Sequence, residues 1–251
     1  MKILVLGSGA CGGRPARQGS VALSLDGRAW LLINASPDIA HQLRAHPALQ
    51  AGGAIQALLL LDAQLQSVLG LLSLREHRPL EVYATPLVFE DLTEGLPLLP
   101  MLEPYCAVHW HPLPVAGCER SAGFSIPGFE GLRFEAQAVP GLRPSHARRR
   151  EPRVGDHIAL RVEDGRSGQC LVFAPALAGT AFDAAGPGPE PLAELDAEAC
   201  GLFWAQPADC WLLDAQAGPQ QAAGRRILLG PQDAGVPAHA ELAYEGMVIE
   251  L

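Results

Sequence analysis

Short apolar runs broken by turn residues dominate this chain, and most of the runs have the length of a strand. Residues 2–6, Lys-Ile-Leu-Val-Leu, read as a buried strand. Residues 20–25 and 28–34 flank Asp26-Gly27, a dipeptide that suits a tight turn, and they predict a β-hairpin. Ser36-Pro37-Asp38 then predicts a helix start, with Ser36 as N-cap and Pro37 in the first helical position, running to about residue 45 and stopping before Pro47. An apolar run at 55–61 predicts the next strand, and Val68-Leu69-Gly70-Leu71-Leu72 the start of a helix reaching about residue 76. Residues 80–84 predict a strand, followed by a short helix capped by Thr85 with Pro86 at its start. Further strands are expected at 124–126, 132–138, 157–162 and 170–173, with a turn at Asp164-Gly165. A Pro/Gly loop is expected at 186–191, a helix at 192–202, and short strands at 209–213, 226–229 and 247–251. Hairpins followed by alternating strands and helices predict one α/β domain over residues 1–251, with mixed sheets and helices outside.

One junction stands out chemically. The strand at 55–61 ends in Asp62-Ala63-Gln64-Leu65-Gln66-Ser67, an acidic and polar turn leading into a helix. Near the N-terminus, Gly7-Ser8-Gly9-Ala10-Cys11-Gly12 matches the GxGxxG pattern of dinucleotide sites. That pattern needs a helix to open behind it, so that the helix N-terminus faces the pyrophosphate. Gly13, Arg14-Pro15 and Gly19 oppose such a helix, and the acid about 20 residues on, Asp26, is already explained by the hairpin. The alternative is a glycine loop that lets the backbone approach the core or a ligand closely.

Composition narrows the classes. In 251 residues, 49% are hydrophobic and 18% charged, which is globular rather than disordered. A formal net charge of −9 argues against binding a nucleic-acid backbone through bulk charge. The one dense basic run is Arg148-Arg149-Arg150, with Arg143 and Arg153 nearby: a solvated loop, or a patch for an anionic ligand. Six scattered cysteines without CxxC spacing predict reduced thiols in a cytoplasmic protein. No run approaches the roughly 20 apolar residues of a membrane span.

The ordered matches extend over most of the chain: MKILVLGSGACGG at the start, then Asn34-Ala35-Ser36-Pro37-Asp38-Ile39, Leu61-Asp62-Ala63-Gln64, Gly155-Asp156, Phe173-Ala174-Pro175, Ala208-Asp209-Cys210 with Leu213-Asp214, and Tyr244-Glu245-Gly246-Met247. In these the chain resembles the pyrroloquinoline quinone (PQQ) biosynthesis protein B family, PqqB, of the metallo-β-lactamase fold superfamily. The resemblance implies a four-layer αββα sandwich with two mixed β-sheets and a site at one sheet edge. It also implies a metal loop, HxHxDH in the superfamily and DAQxDH in PqqB, whose last two positions here are Gln66 and Ser67. A family His on a late strand would fall near Gly230. The Cys-rich insertion expected after Gly13 and the segment expected after Asp214 are missing. Amide and hydroxyl oxygens bind divalent transition metals far more weakly than imidazole or carboxylate.

These departures set the functional expectations. The first is a binding or partner protein of the quinone pathway with no cofactor. Its pocket candidates are Asp62, Gln64, Gln66, Ser67, Asn34, Ser36, Asp156, His157 and Asp214. The ligand would be small and polar or anionic, such as a quinone or its precursor, held in part by arginines of the 143–153 loop. The second is an active oxidoreductase or hydroxylase of the pathway that keeps iron or zinc at a non-standard site. The third is a scaffolding or homodimerising subunit. Asn34, Ser36 and Asp38 also have a structural explanation as a helix start, and Asp214 as a strand-end cap. His109 and His111 would share one face of a strand, as a metal pair or as a peripheral cross-strand pair. His41, His46, His77, His146 and His239 read as surface residues.

Overall fold

The computed structural model describes residues 1–8, 10–11, 14–15, 19–75, 79–139, 141, 143–148, 151–175, 205–214, 224–230 and 239–251. Its strands are β1 (Lys2–Val5), β2 (Ala10–Cys11), β3 (Arg14–Pro15), β4 (Val21–Ser24), β5 (Trp30–Ile33), β6 (Ile55–Leu59), β7 (Leu80–Ala84), β8 (Val108–Pro112), β9 (Ser121–Phe124), β10 (Leu132–Ala138), β11 (Ile158–Asp164), β12 (Cys170–Ala174), β13 (Cys210–Asp214), β14 (Arg225–Leu229), β15 (Glu241–Leu242) and β16 (Val248–Glu250). Short helices α1 (Ile39–Ala45), α2 (Pro47–Gln50), α3 (Leu65–Val68), α4 (Pro86–Glu90) and α5 (Leu98–Leu102) lie between the strands of the first half.

Two seven-stranded sheets result, ordered β16-β1-β4-β5-β6-β7-β8 and β15-β14-β13-β12-β11-β10-β9. Each is antiparallel in one half and parallel in the other. In β10, Leu132, Phe134, Ala136 and Ala138 turn inward while Arg133 is exposed, the period of two that lets one strand face core and surface. Ile3, Val21, Leu31, Leu59, Phe134, Leu160, Phe173 and Leu212 belong to the core between the sheets. A second cluster, with Trp30, Leu32, Ile39, Leu58, Val68, Val88 and Leu99, fixes the helices on the outer face of the first sheet. The outer face of the second sheet carries its own cluster around Val172, Trp211 and Leu228.

The β4–β5 hairpin forms in the register Val21↔Ile33 to Leu23↔Leu31. Its turn is held by the Asp26 carboxylate, which accepts from the Arg28 and Ala29 amides, with Gly27 at φ +72°. Thr85 caps α4 through its hydroxyl, which accepts from the Val88 amide at 3.2 Å. Ala10–Cys11 and Arg14–Pro15 pair as short antiparallel strands, so among the described residues no dinucleotide-type helix opens directly behind Gly7.

Three expectations need correction. Ser36 is not an N-cap: α1 begins at Ile39, Asp38 holds the cap position without a side-chain bond, and the Ser36 hydroxyl donates to Gln42 Oε1 at 3.0 Å. Burial decides this, because a wholly buried hydroxyl needs a buried partner. The helix expected from Val68 starts earlier, at Leu65, and continues as a 3-10 turn over Leu69–Ser73. The strand expected at 124–126 lies earlier, at Ser121–Phe124, where it pairs with β10. The expected helix at 192–202 and loop at 186–191 lie outside the described residues.

Candidate functional site

The site grows from the C-terminal ends of β5 and β6. Beyond β5, Asn34 turns the chain in the left-handed region at φ +58°, which asparagine tolerates better than other residues bearing a Cβ. Its Oδ1 accepts the Leu61 amide at 3.0 Å, joining the two strand ends. The Ser67 carbonyl accepts from the Ala35 amide at 2.7 Å, and the Ala35 carbonyl accepts from the Gly70 amide at 2.9 Å. The 34–36 turn and the α3 segment therefore interlock through backbone. A Cβ on Gly70 would lie 2.1 Å from the Ser36 carbonyl oxygen, so only glycine fits this approach.

Asp62 follows at the point where the two sheets meet. It forms a single antiparallel bridge with His157, and the Leu61 carbonyl accepts from the Ile158 amide at 2.9 Å. Asp62 Oδ1 accepts from the Gln64 amide at 2.8 Å, an Asx-type turn that delivers Gln64 to the cap position of α3. Asp62 Oδ2 stands 3.8 Å from His157 Nδ1, in ion-pair range, with both side chains almost wholly buried. Gly141 lies against the imidazole: a Cβ there would fall 2.3 Å from its Cδ2. Asp156, also buried, accepts from the Arg153 amide at 2.8 Å through Oδ2.

Asp62, His157, Asn34, Ser36, Ser67 and Asp156 are all buried, and of these side chains the structure sets Asp62 against His157. Gln64 and Gln66 are partly exposed, and Leu65 between them is 46% exposed. Asp214 ends β13, as the sequence suggests. Two arginines of the 143–153 loop bond elsewhere. Arg143 donates to the carbonyls of Pro144 and Ala147, and Arg148 pairs with Glu94 at 3.4 Å. Arg149 and Arg150 lie outside the described residues. His146 departs from the surface expectation: its Nε2 is buried, and desolvation holds the imidazole below its ordinary pKa against the opposing pull of Asp91.

The metal implied by the fold family can be tested against these donors. Asp62 accepts the Gln64 amide and lies 3.8 Å from the His157 imidazole, Gln66 and Ser67 are neutral, and the late strand β14 is followed by Gly230. Among the described residues, no three His, Cys, Asp or Glu side chains are placed to hold a metal ion. This donor set does not fit the family metal, and no reaction step is derived through it.

His109 and His111 form the cross-strand alternative. Their ring nitrogens contact the two carboxylate oxygens of Glu81, at 2.8 and 2.6 Å. Sequence reasoning missed Glu81, Gly70 and the left-handed turn at Asn34. Alternation along 80–84 places Glu81 and Tyr83 on one face, and a lone glycine in a leucine-rich helical run marks a close backbone approach.

Comparison with known proteins gives this arrangement a family. The β-lactamase superfamily domain model matches residues 29–249. The chain is 43% identical over 206 residues to coenzyme PQQ synthesis protein B of Nitrosococcus oceani, covering 70% of this chain and 67% of that one. The corresponding protein of Methylococcus capsulatus is 40% identical over 205 residues, covering 70% and 66%. Against the curated relatives it matches, the chain spans about two thirds of their length or less, down to 54%. The crystal structure of Zn(2+)-bound PqqB from Methylobacterium extorquens shares the fold at a TM-score of 0.70, with 21% identity and full coverage of both chains. With its two mixed sheets in a metallo-β-lactamase-like αββα arrangement, this chain belongs to the PqqB family of the β-lactamase superfamily.

Proposed function

We propose that this chain serves PQQ biosynthesis as a binding protein that works without the metal-dependent reaction of its family. The observation that carries the reading is the state of Asp62. The one acidic residue left in the metal loop is buried, accepts the Gln64 amide and faces the His157 imidazole at 3.8 Å. The neighbouring polar residues have internal structural roles: Asn34 holds Leu61, Ser36 holds Gln42, and Asp156 holds Arg153. A buried carboxylate facing a histidine gives the two sheets a local tie where the family pattern has a metal loop.

What remains outward at this edge is Gln64-Leu65-Gln66, two amides flanking an exposed leucine. Such a surface suits a partner protein of the pathway better than a small anion, and Arg143 and Arg148 are engaged by Ala147 and Glu94. The test has two parts. Metal analysis of purified protein is expected to find no iron or zinc that depends on Asp62. In the native organism, loss of the protein is expected to lower PQQ output, and a D62N variant to restore it. One equivalent of iron or zinc lost on Asp62→Ala, together with failure of D62N to restore output, would sink the proposal in favour of a metal-dependent oxidoreductase.

A further inference from the structure

Strands β6 and β7 part before they reach their N-terminal ends. The ladder between them holds Leu58↔Val82 and Leu59↔Tyr83, although β7 keeps pairing with β8 down to Leu80↔Val108. A bulge lies at the parting. Trp30 and Leu31 of β5 pair with Ile55 and Ala57, so Gln56 is the extra residue, and a bulged strand bends and leaves its ladder. The gap opens into a cavity of about 310 Å3, lined on its two sides by the starts of β6 and β7. We propose that this cavity binds a neutral small molecule with a bicyclic apolar body and one hydrogen-bond acceptor.

The walls select an apolar body. Leu49, Leu58, Leu74 and Leu80 line the cavity and are buried, while Gly52 and Pro79 form an exposed rim. Apolar walls with a few placed polar groups are the usual form of a small-molecule site, and the volume is at the small end of the range of about 300–1,000 Å3. The polar group comes from the splayed ladder. The Leu80 amide donates to the Ala107 carbonyl at 2.8 Å, toward β8. Alternation therefore turns the Glu81 amide toward β6, beyond the last rung of that ladder, where it faces the gap and can donate to a ligand carbonyl.

Charge selects against anions. Among the described lining residues Glu81 is the one ionisable side chain, and its carboxylate is already engaged by His109 and His111. The Gln56 amide is taken up by the Gly53 carbonyl, which ties the rim together. A carboxylate or phosphate placed here would meet an acid and no cation, and burying it unpaired is costly. The cavity is also separate from the loop at Asp62, which follows the C-terminal end of β6. Two small residues offer a way to fill it. A Cβ added at Gly52 meets open space, and Ala54 is buried in the wall.

The neutral naphthyl ketone dye prodan, whose emission moves to the blue in apolar surroundings, is the probe. Titration into the protein is expected to show saturable binding of one equivalent, with hydrogen-exchange protection in peptides covering 49–58 and 74–82. The anionic dye anilinonaphthalene sulfonate should bind about tenfold more weakly or worse, and G52W and A54F should each weaken prodan binding about tenfold or more. A thermal melt of each variant checks its fold, and G52W, on the exposed rim, serves if A54F does not fold. Absence of saturable binding by the wild type, undiminished binding by the folded variants, equal affinity for the anionic dye, or protection elsewhere in the chain would overturn the site.

Discussion

Replacing Asn34 by alanine breaks the joint on which the candidate site is built. Two costs can be separated. The Leu61 amide, buried between strand ends, loses its acceptor at 3.0 Å, and an unsatisfied buried amide costs about 1–3 kcal/mol. The backbone sits at φ +58°, where a residue with a Cβ and no local side-chain bond is disfavoured by about 1–2 kcal/mol. Together N34A loses about 3 kcal/mol, which for a chain of this size lowers Tm by on the order of 10 °C. N34G removes the backbone strain but not the orphaned amide, so it falls between N34A and the wild type by roughly 1 kcal/mol. Thermal melts and urea titrations of the three proteins measure both parts. An N34A protein that melts within about 2 °C of the wild type would refute the joint, and N34G less stable than N34A would refute the strain component.

Gly70→Ala drives a Cβ into the Ser36 and Ala35 carbonyl oxygens, at 2.1 and 2.7 Å, and should cost about 3 kcal/mol or leave the protein insoluble, read by urea titration or by soluble yield. Burial works against ionisation of Glu81, yet the hydrogen bonds from His111 and His109 outweigh it and hold its carboxyl below the ordinary 4.5. Its stabilising contribution is therefore present above about pH 4.5 and disappears as pH falls through the depressed native value, so the Tm difference between wild type and E81Q should shrink below pH 4.5; a difference that grows on acidification would contradict the sign. Burial pushes the Cys170 thiol up to about 11 and the Cys210 thiol up to about 12, whereas Cys118 is exposed. Alkylation at pH 8 followed by peptide mapping should label Cys118 in native protein and reach Cys170 and Cys210 only after denaturation.

Local chemistry was legible in the sequence wherever neighbours along the chain decide the outcome. Asp26-Gly27 specified its turn through its own carboxylate and a glycine φ, and Thr85-Pro86 specified a capped helix start. The strand expected at 132–138 is β10, with Leu132, Phe134, Ala136 and Ala138 buried. The loop residues Asp62, Gln66 and Ser67 could be read as a departure from the family pattern by comparison of side-chain types alone.

Long-range geometry was not legible, because the partners are brought together by the fold and not by spacing. Ser36 has a favourable N-cap residue type, but burial against Gln42 gave its hydroxyl another acceptor and moved the helix start to Ile39. Asp62 and His157 are 95 residues apart, and only the meeting of the two sheets decides that one faces the other. Glu81 reads as an ordinary strand acid until the parallel register of β7 and β8 sets it between two imidazoles. The sequence by itself determined most of the longer strands, the Asp26-Gly27 turn and the family; the tertiary structure alone decided that the loop's remaining acid is closed inward, because a buried carboxylate takes the backbone donor that packing supplies.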